Sequence, residues 1–234
     1  MCDKLRKFVA SILVFSIMIG TVGLTGGQKA YANENNASSP DGIMLTEEEV
    51  NTYKGIDLAS TQFDTSKMNE KERELYDLLL EREYETQKAS LDEQGISKEE
   101  FINGIKSFLH DEYSVDGDVI VKSKAKKATR IISVGNLGSA LNIAITAALI
   151  ATGVGSIGEL VKKLGKQGAK KWVKKHLSSK IAGVLARVGA KKLGKWIGAF
   201  VVSIVDTYLE PGTFLAKKFD SVDAVPNSGY IELW

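Results

Sequence analysis

Between Ile131 and Gly158 the chain runs for 28 consecutive residues without a charged side chain. Such a run has two stable homes, the middle of a helical core or the hydrocarbon of a bilayer, which roughly 20 apolar residues span. Gly135, Gly138, Gly153, Gly155 and Gly158 crowd its flanks, while Asn136, Asn142 and Thr146 dilute its apolarity. The pattern predicts a helix over residues 139–152, buried in a soluble fold and, with its flanks, long enough to enter a membrane.

Charge is sorted along the chain around this run. Residues 1–32 carry a net +3, residues 33–118 carry −14 with 22 Asp/Glu, and residues 119–234 carry +13 with 19 Lys/Arg. The overall +2 hides this asymmetry. With 234 residues there is room for a real core. The single cysteine, Cys2, excludes an internal disulfide, so packing must supply the stability.

Residues 1–32 read as a secretory signal peptide. Lys4, Arg6 and Lys7 precede an uncharged apolar run from Phe8 to about Leu24, and Ala30-Tyr31-Ala32 places small residues where signal peptidase reads them. Cleavage is expected after Ala32, with a secreted product; the alternative is an uncleaved membrane anchor. Cys2 precedes the apolar run, which is the wrong side for a lipid-anchored cysteine.

Residues 33–118 are expected to be an acidic helical pro-region. Asn33 to about Asp64 is polar and reads as a flexible arm. Residues 69–93 then combine strong helix formers with Leu75, Leu78, Leu79 and Tyr84. After Gly95, Ser97-Lys98-Glu99-Glu100 forms a capping-box pattern ahead of Phe101, Ile102, Ile105, Phe108 and Leu109 at helical spacing. Together these predict a helical hairpin, read either as a solvated acidic surface or as a mask for the basic half.

Residues 119–130 form a basic linker. Lys126, Lys127 and Arg130 would suit a trypsin-like processing protease, although an ordinary basic loop carries the same residues.

Residues 131–234 are expected to be a cationic, glycine-rich helical domain. Between Lys162 and Lys195 there are 12 Lys/Arg and no acid. From Ile157, a helical wheel gathers Leu160, Val161, Leu164 and Gly168 on one face, opposite Lys162, Lys163, Lys166 and Lys170. An unbroken helix would turn Lys171 and Lys175 onto the apolar face, so a bend is expected at Gly165–Gly168. A second helix is predicted to start at Ser178-Ser179, and an apolar stripe of Leu193, Trp196, Ile197, Phe200, Ile204 and Tyr208 to run to Pro211-Gly212. The tail from Asn227 reads as a turn and a short strand, with Val119–Val121 as its expected partner. The fold class is thus all-α: an acidic hairpin and a small cationic bundle, with one short β pairing at the ends.

Lysine-rich amphipathic helices bind anionic bilayers, each nearby lysine adding about 1 kcal/mol. The candidate membrane-binding residues are Lys162, Lys163, Lys166, Lys170, Lys171, Lys174, Lys175, Lys191, Lys192 and Lys195, with Trp172 and Trp196 suited to the headgroup level. A plain bundle with a basic solvent face reads similarly. His110 and His176 lack metal-ligand neighbours, and no nucleophile-elbow, phosphate-loop or H-E-x-x-H motif occurs. No catalytic residue, metal, cofactor or small-molecule substrate is expected. Export and the lack of a recognisable module argue against nucleic acid.

A signal, an acidic pro-region and a Gly/Ala/Lys-rich helical C-terminal half resemble the layout of secreted Gram-positive bacteriocin and peptide-toxin precursors. Residues 139–205, an uncharged Ala/Ile helix followed by Lys-rich helices with Trp, are similar in composition and order to the helical circular and leaderless bacteriocins. The long pro-region and the tail after Pro211 depart from that layout. The resemblance implies a cationic antimicrobial protein that permeabilises anionic membranes, with its own acidic pro-region or an immunity protein as further partners. The alternative is a secreted helical binding protein whose basic face engages an anionic cell-wall polymer or a protein partner.

Overall fold

The computed structural model describes residues 43–109, 129–207 and 210–233. The described residues are mostly helical, as expected of an all-α chain. The expected signal segment with Ala32, the residues His110, Lys126, Lys127 and Tyr208, and the Val119–Val121 segment lie outside the described residues.

Three of the described helices come from the acidic segment, and local chemistry fixes their ends. Helix α1 (Glu47–Tyr53) starts at a capping box in which Thr46 Oγ1 accepts from the Glu49 amide and Glu49 Oε2 accepts from the Thr46 amide. Helix α2 (Glu70–Gln94) repeats the device with Asn69 and Glu72, and ends on Gly95 in the left-handed conformation (φ 69°). Helix α3 (Lys98–Leu109) follows its Ser97/Glu100 box. The α2–α3 hairpin is therefore the one the sequence predicts.

Residues 43–68 depart from the expected flexible arm. Ile43, Val50, Leu58, Phe63 and Met68 are buried, so this stretch is packed chain with one helix of its own. A few apolar residues spread among polar ones suffice, since each buried large side chain is worth roughly 1.5–3 kcal/mol.

Strand β1 (Thr129–Ser133) leads into α4 (Val134–Ala151), which is capped by Ser133 Oγ accepting from the Asn136 amide. Helix α4 occupies the middle of the uncharged run. It is buried on every side from Leu137 to Ile150, so in this fold the run is a central core helix. Helix α5 (Ile157–Arg187) begins at the Ser156 cap and breaks at Gly165, whose φ of 69° and ψ of 162° are non-helical. The break restores the phase as anticipated. Beyond it Ala169, Val173, Leu177, Ile181 and Val184 are buried, while Lys171, Lys174 and Lys175 are exposed.

Two expectations for this region fail. Leu164 is 44% exposed, because the break begins at the next residue and lifts it off the apolar face. Ser178 starts no helix: α5 runs through it, and its hydroxyl donates back to the Lys174 carbonyl at 2.7 Å.

The rest of the bundle is short pieces: a 3-10 turn at Lys191–Leu193, α6 (Gly194–Phe200), a second 3-10 turn at Val201–Ser203, α7 (Ile204–Thr207) and α8 (Pro211–Asp220). Pro211-Gly212 ends one helical path and opens another, since a proline fits the first turn of α8. Strand β2 (Tyr230–Leu233) pairs antiparallel with β1, Thr129 facing Leu233 and Ser133 facing Tyr230. The predicted C-terminal strand is present, and its partner among the described residues is 129–133, so the linker ends before Thr129. One apolar cluster joins the acidic and basic segments, from Ile43 through Leu75, Leu79 and Ile105 to α4, α5 and α8.

Candidate functional site

Two features of the described residues bear on function: an exposed cationic surface, and a buried polar spine where the acidic hairpin meets the central helix.

The cationic surface lies along α5 and into α6. Lys162, Lys163, Lys166, Lys171, Lys174, Lys175, Lys191, Lys192 and Lys195 are exposed, and Lys170 is half-buried. An internal counter-charge is Asp206 on α7, which holds Lys166 Nζ at 2.8 Å and Lys170 Nζ at 2.9 Å. Those lysine hydrogen bonds keep the Asp206 carboxyl below its ordinary range. Trp172 is half-buried and stacks on His176, ring centroids 4.8 Å apart. Trp196 is 36% exposed, nearly parallel to Phe200 at 5.8 Å, with the Lys195 ammonium 5.6 Å from its ring. It therefore sits at the edge of the predicted stripe, whereas Leu193, Ile197 and Ile204 are in the core. Arg130, a candidate processing residue, has its backbone in β1 opposite Glu232.

The buried spine follows from sequence spacing on α4. Ser139, Asn142 and Thr146 recur at three and four residues, which places them on one face. All three are buried in a helix whose other faces are apolar. Opposite Ser139 and Asn142, α2 supplies Glu83, fully buried, and Gln87. Glu83 Oε1 accepts from Gln87 Nε2 at 2.5 Å and from Asn142 Nδ2 at 3.2 Å. Gln87 Nε2 also donates to Ser139 Oγ at 2.6 Å. Asn142 Oδ1 in turn accepts the Gly212 amide of α8 at 2.7 Å. Three helices are thus joined through one asparagine.

Glu83 Oε2 is buried without a hydrogen-bond partner. Desolvation pushes the Glu83 carboxyl up to about 7, against the opposing pull of the Asn142, Ser139 and Gln87 hydrogen bonds. The group is neutral in mildly acidic solution.

The cavity beside Asn142 and Thr146, also lined by Ile43, Leu149 and Pro211, measures about 10 Å³. That is room for about one water, so it offers no place to an organic substrate. Among the described residues no group of three or more His, Asp or Glu side chains is arranged to hold a metal ion.

The lysine residues were legible in the sequence, and the structure leaves nearly all of them exposed. Glu83 was not, because its residue type groups it with the other acids of α2. Its signal is relational: a glutamate on the apolar side of α2, between Leu79 and Leu80 on one side and Tyr84 on the other.

No protein-family model, curated protein or solved structure matches the chain.

Proposed function

We propose that the chain is a secreted cationic antimicrobial precursor that permeabilises anionic membranes. The observation that carries this reading is the pairing of α4, an 18-residue uncharged helix shielded in the core, with the exposed lysine surface of α5 that follows it. The lysines collect on an anionic headgroup layer, where each adds about 1 kcal/mol, and Trp196 sits at the level of the interface. Helix α4 then leaves the bundle and enters the hydrocarbon, carrying Ser139, Asn142 and Thr146 as a polar stripe. No residue takes a catalytic role in this scheme.

The test is dye release. Residues 33–234, which contain every described residue, are mixed intact and cut within 110–128 with vesicles rich in phosphatidylglycerol and with purely zwitterionic vesicles. Leakage at micromolar protein from the anionic vesicles alone supports the proposal. Binding without leakage rejects it.

The second reading is a binding protein that presents its basic face to an anionic wall polymer. The Asp206 clamp on Lys166 and Lys170 favours it, because a lysine array held in place suits a polymer better than a surface that must unfold. Retention on teichoic acid with no leakage at any lipid composition selects this reading.

A further inference from the structure

A fully buried carboxyl with one bare oxygen is costly wherever it occurs, and here it sits on the contact between two helices that the sequence makes opposite in character. Helix α2 is dense in charge, and α4 has none. In the neutral acid, Glu83 Oε1 serves as the carbonyl that accepts from Gln87 and Asn142, and Oε2 carries the proton. In the carboxylate a full charge is buried with one oxygen, Oε2, that receives no hydrogen bond. Burial of this kind favours the neutral form over the charged one.

We propose that Glu83 is a protonation-controlled latch that holds the acidic hairpin over the uncharged helix and releases it when the carboxyl ionises.

The surroundings favour this direction. Ser139 and Asn142 on α4 and Gln87 on α2 do not titrate. Glu210, at the start of α8, is an acid whose charge opposes ionisation of Glu83. Arg82 is the nearest cation in sequence, and its Nη2 is engaged 2.7 Å from Glu49 on α1. Release is local. The second half of α5 packs through the apolar side chains of Val173, Leu177, Ile181 and Val184, which have no hydrogen bond to offer the spine. Once the hairpin lifts, Ser139 and the Asn142 amide nitrogen lose their partners on α2, and the side of α4 that the hairpin covers is exposed. This conformational step is independent of membrane activity.

The test is a solution titration of residues 33–234 by NMR from pH 5 to 9, following the Glu83 carboxyl carbon and the backbone amides. The carboxyl is expected to titrate near 7, with amides of α2, α3 and α4 changing at the same midpoint and those of Lys174–Arg187 unmoved. Glu83→Gln, which mimics the neutral acid, is expected to abolish that transition; if it fails to fold, Glu83→Met supplies the comparison. Asp220→Asn and Asp223→Asn serve as controls, because these two carboxyls are also raised by burial but lie near β2. A Glu83 midpoint in the ordinary carboxylate range overturns the latch, as does a transition that survives in the Glu83 variant, or one that moves every helix together.

Discussion

The Gly212 amide donates to Asn142 Oδ1 at 2.7 Å in the interior of the bundle, and a β-carbon on Gly212 would overlap both the Asn142 backbone nitrogen and the Gly138 carbonyl oxygen. Helices α4 and α8 approach this closely because the contact is built from glycines and backbone. Gly212→Ala must push the two helices apart, and overpacking of this kind costs about 1–3 kcal/mol. We expect the upper end, since the obstructing atoms are backbone. A urea midpoint measured against wild type checks it.

Among the described residues of the spine, Asn142 bonds both the hairpin and α8, so Asn142→Ala strips two groups at once. The Gly212 N–H loses its acceptor and Glu83 loses a donor, and each buried unsatisfied group costs about 1–3 kcal/mol. A loss of about 3 kcal/mol or more is expected in chemical denaturation on that scale. A loss below about 1 kcal/mol, the low end for a single group, would mean that the spine is not structural.

Burial raises Asp223 to about 6, from an ordinary 3.8, despite backbone hydrogen bonds from Glu232 and Val225. Between those two pH values the native protein binds more protons than the unfolded chain, so stability falls as pH rises. The contribution is whole below the unfolded value and gone above about pH 6. Glu83 extends the same trend toward pH 7. Denaturation midpoints are therefore expected to be highest in mild acid and to fall steadily to neutrality. A midpoint that climbs from about pH 5 to about pH 7 is the opposite of what these raised carboxyls require.

The acidic and basic segments attract by count, yet their contact is mainly an apolar core, and a described link between opposite charges, Lys180 Nζ to Asp57 at 2.7 Å, lies at the surface. Such a pair is worth about 0–1 kcal/mol. When the chain is cut within 110–128, the two pieces should stay associated in gel filtration at about 1 M salt, where the Debye length has shrunk to about 3 Å. Separation by salt would restore charge masking as the principal bond.

Much of this architecture was legible because short-range chemistry wrote it. The helix from residue 69, the capping box at Ser97, the hairpin closed at Gly95 and the lysine phase that demanded a break near Gly165 are all local. Helix α1 carries an equally local signal, Thr46-x-x-Glu49, hidden within a polar stretch that suggested an arm. What was not legible is long-range. The partner of β2 is set by how α4 emerges from β1, and Glu83 meets Asn142 across 59 positions of sequence. Neither pairing is written in the local sequence.

Membrane attack as proposed requires α4 to exchange its protein cover for lipid, and hydrogen exchange on residues 33–234 bound to anionic vesicles reads that exchange directly. Amides of α2 and α3 should lose protection on binding while those of Leu137–Ile150 keep theirs, as a helix in hydrocarbon must. If the bound protein shows hairpin and central helix as equally protected as in solution, α4 has not left the bundle and the proposal is wrong.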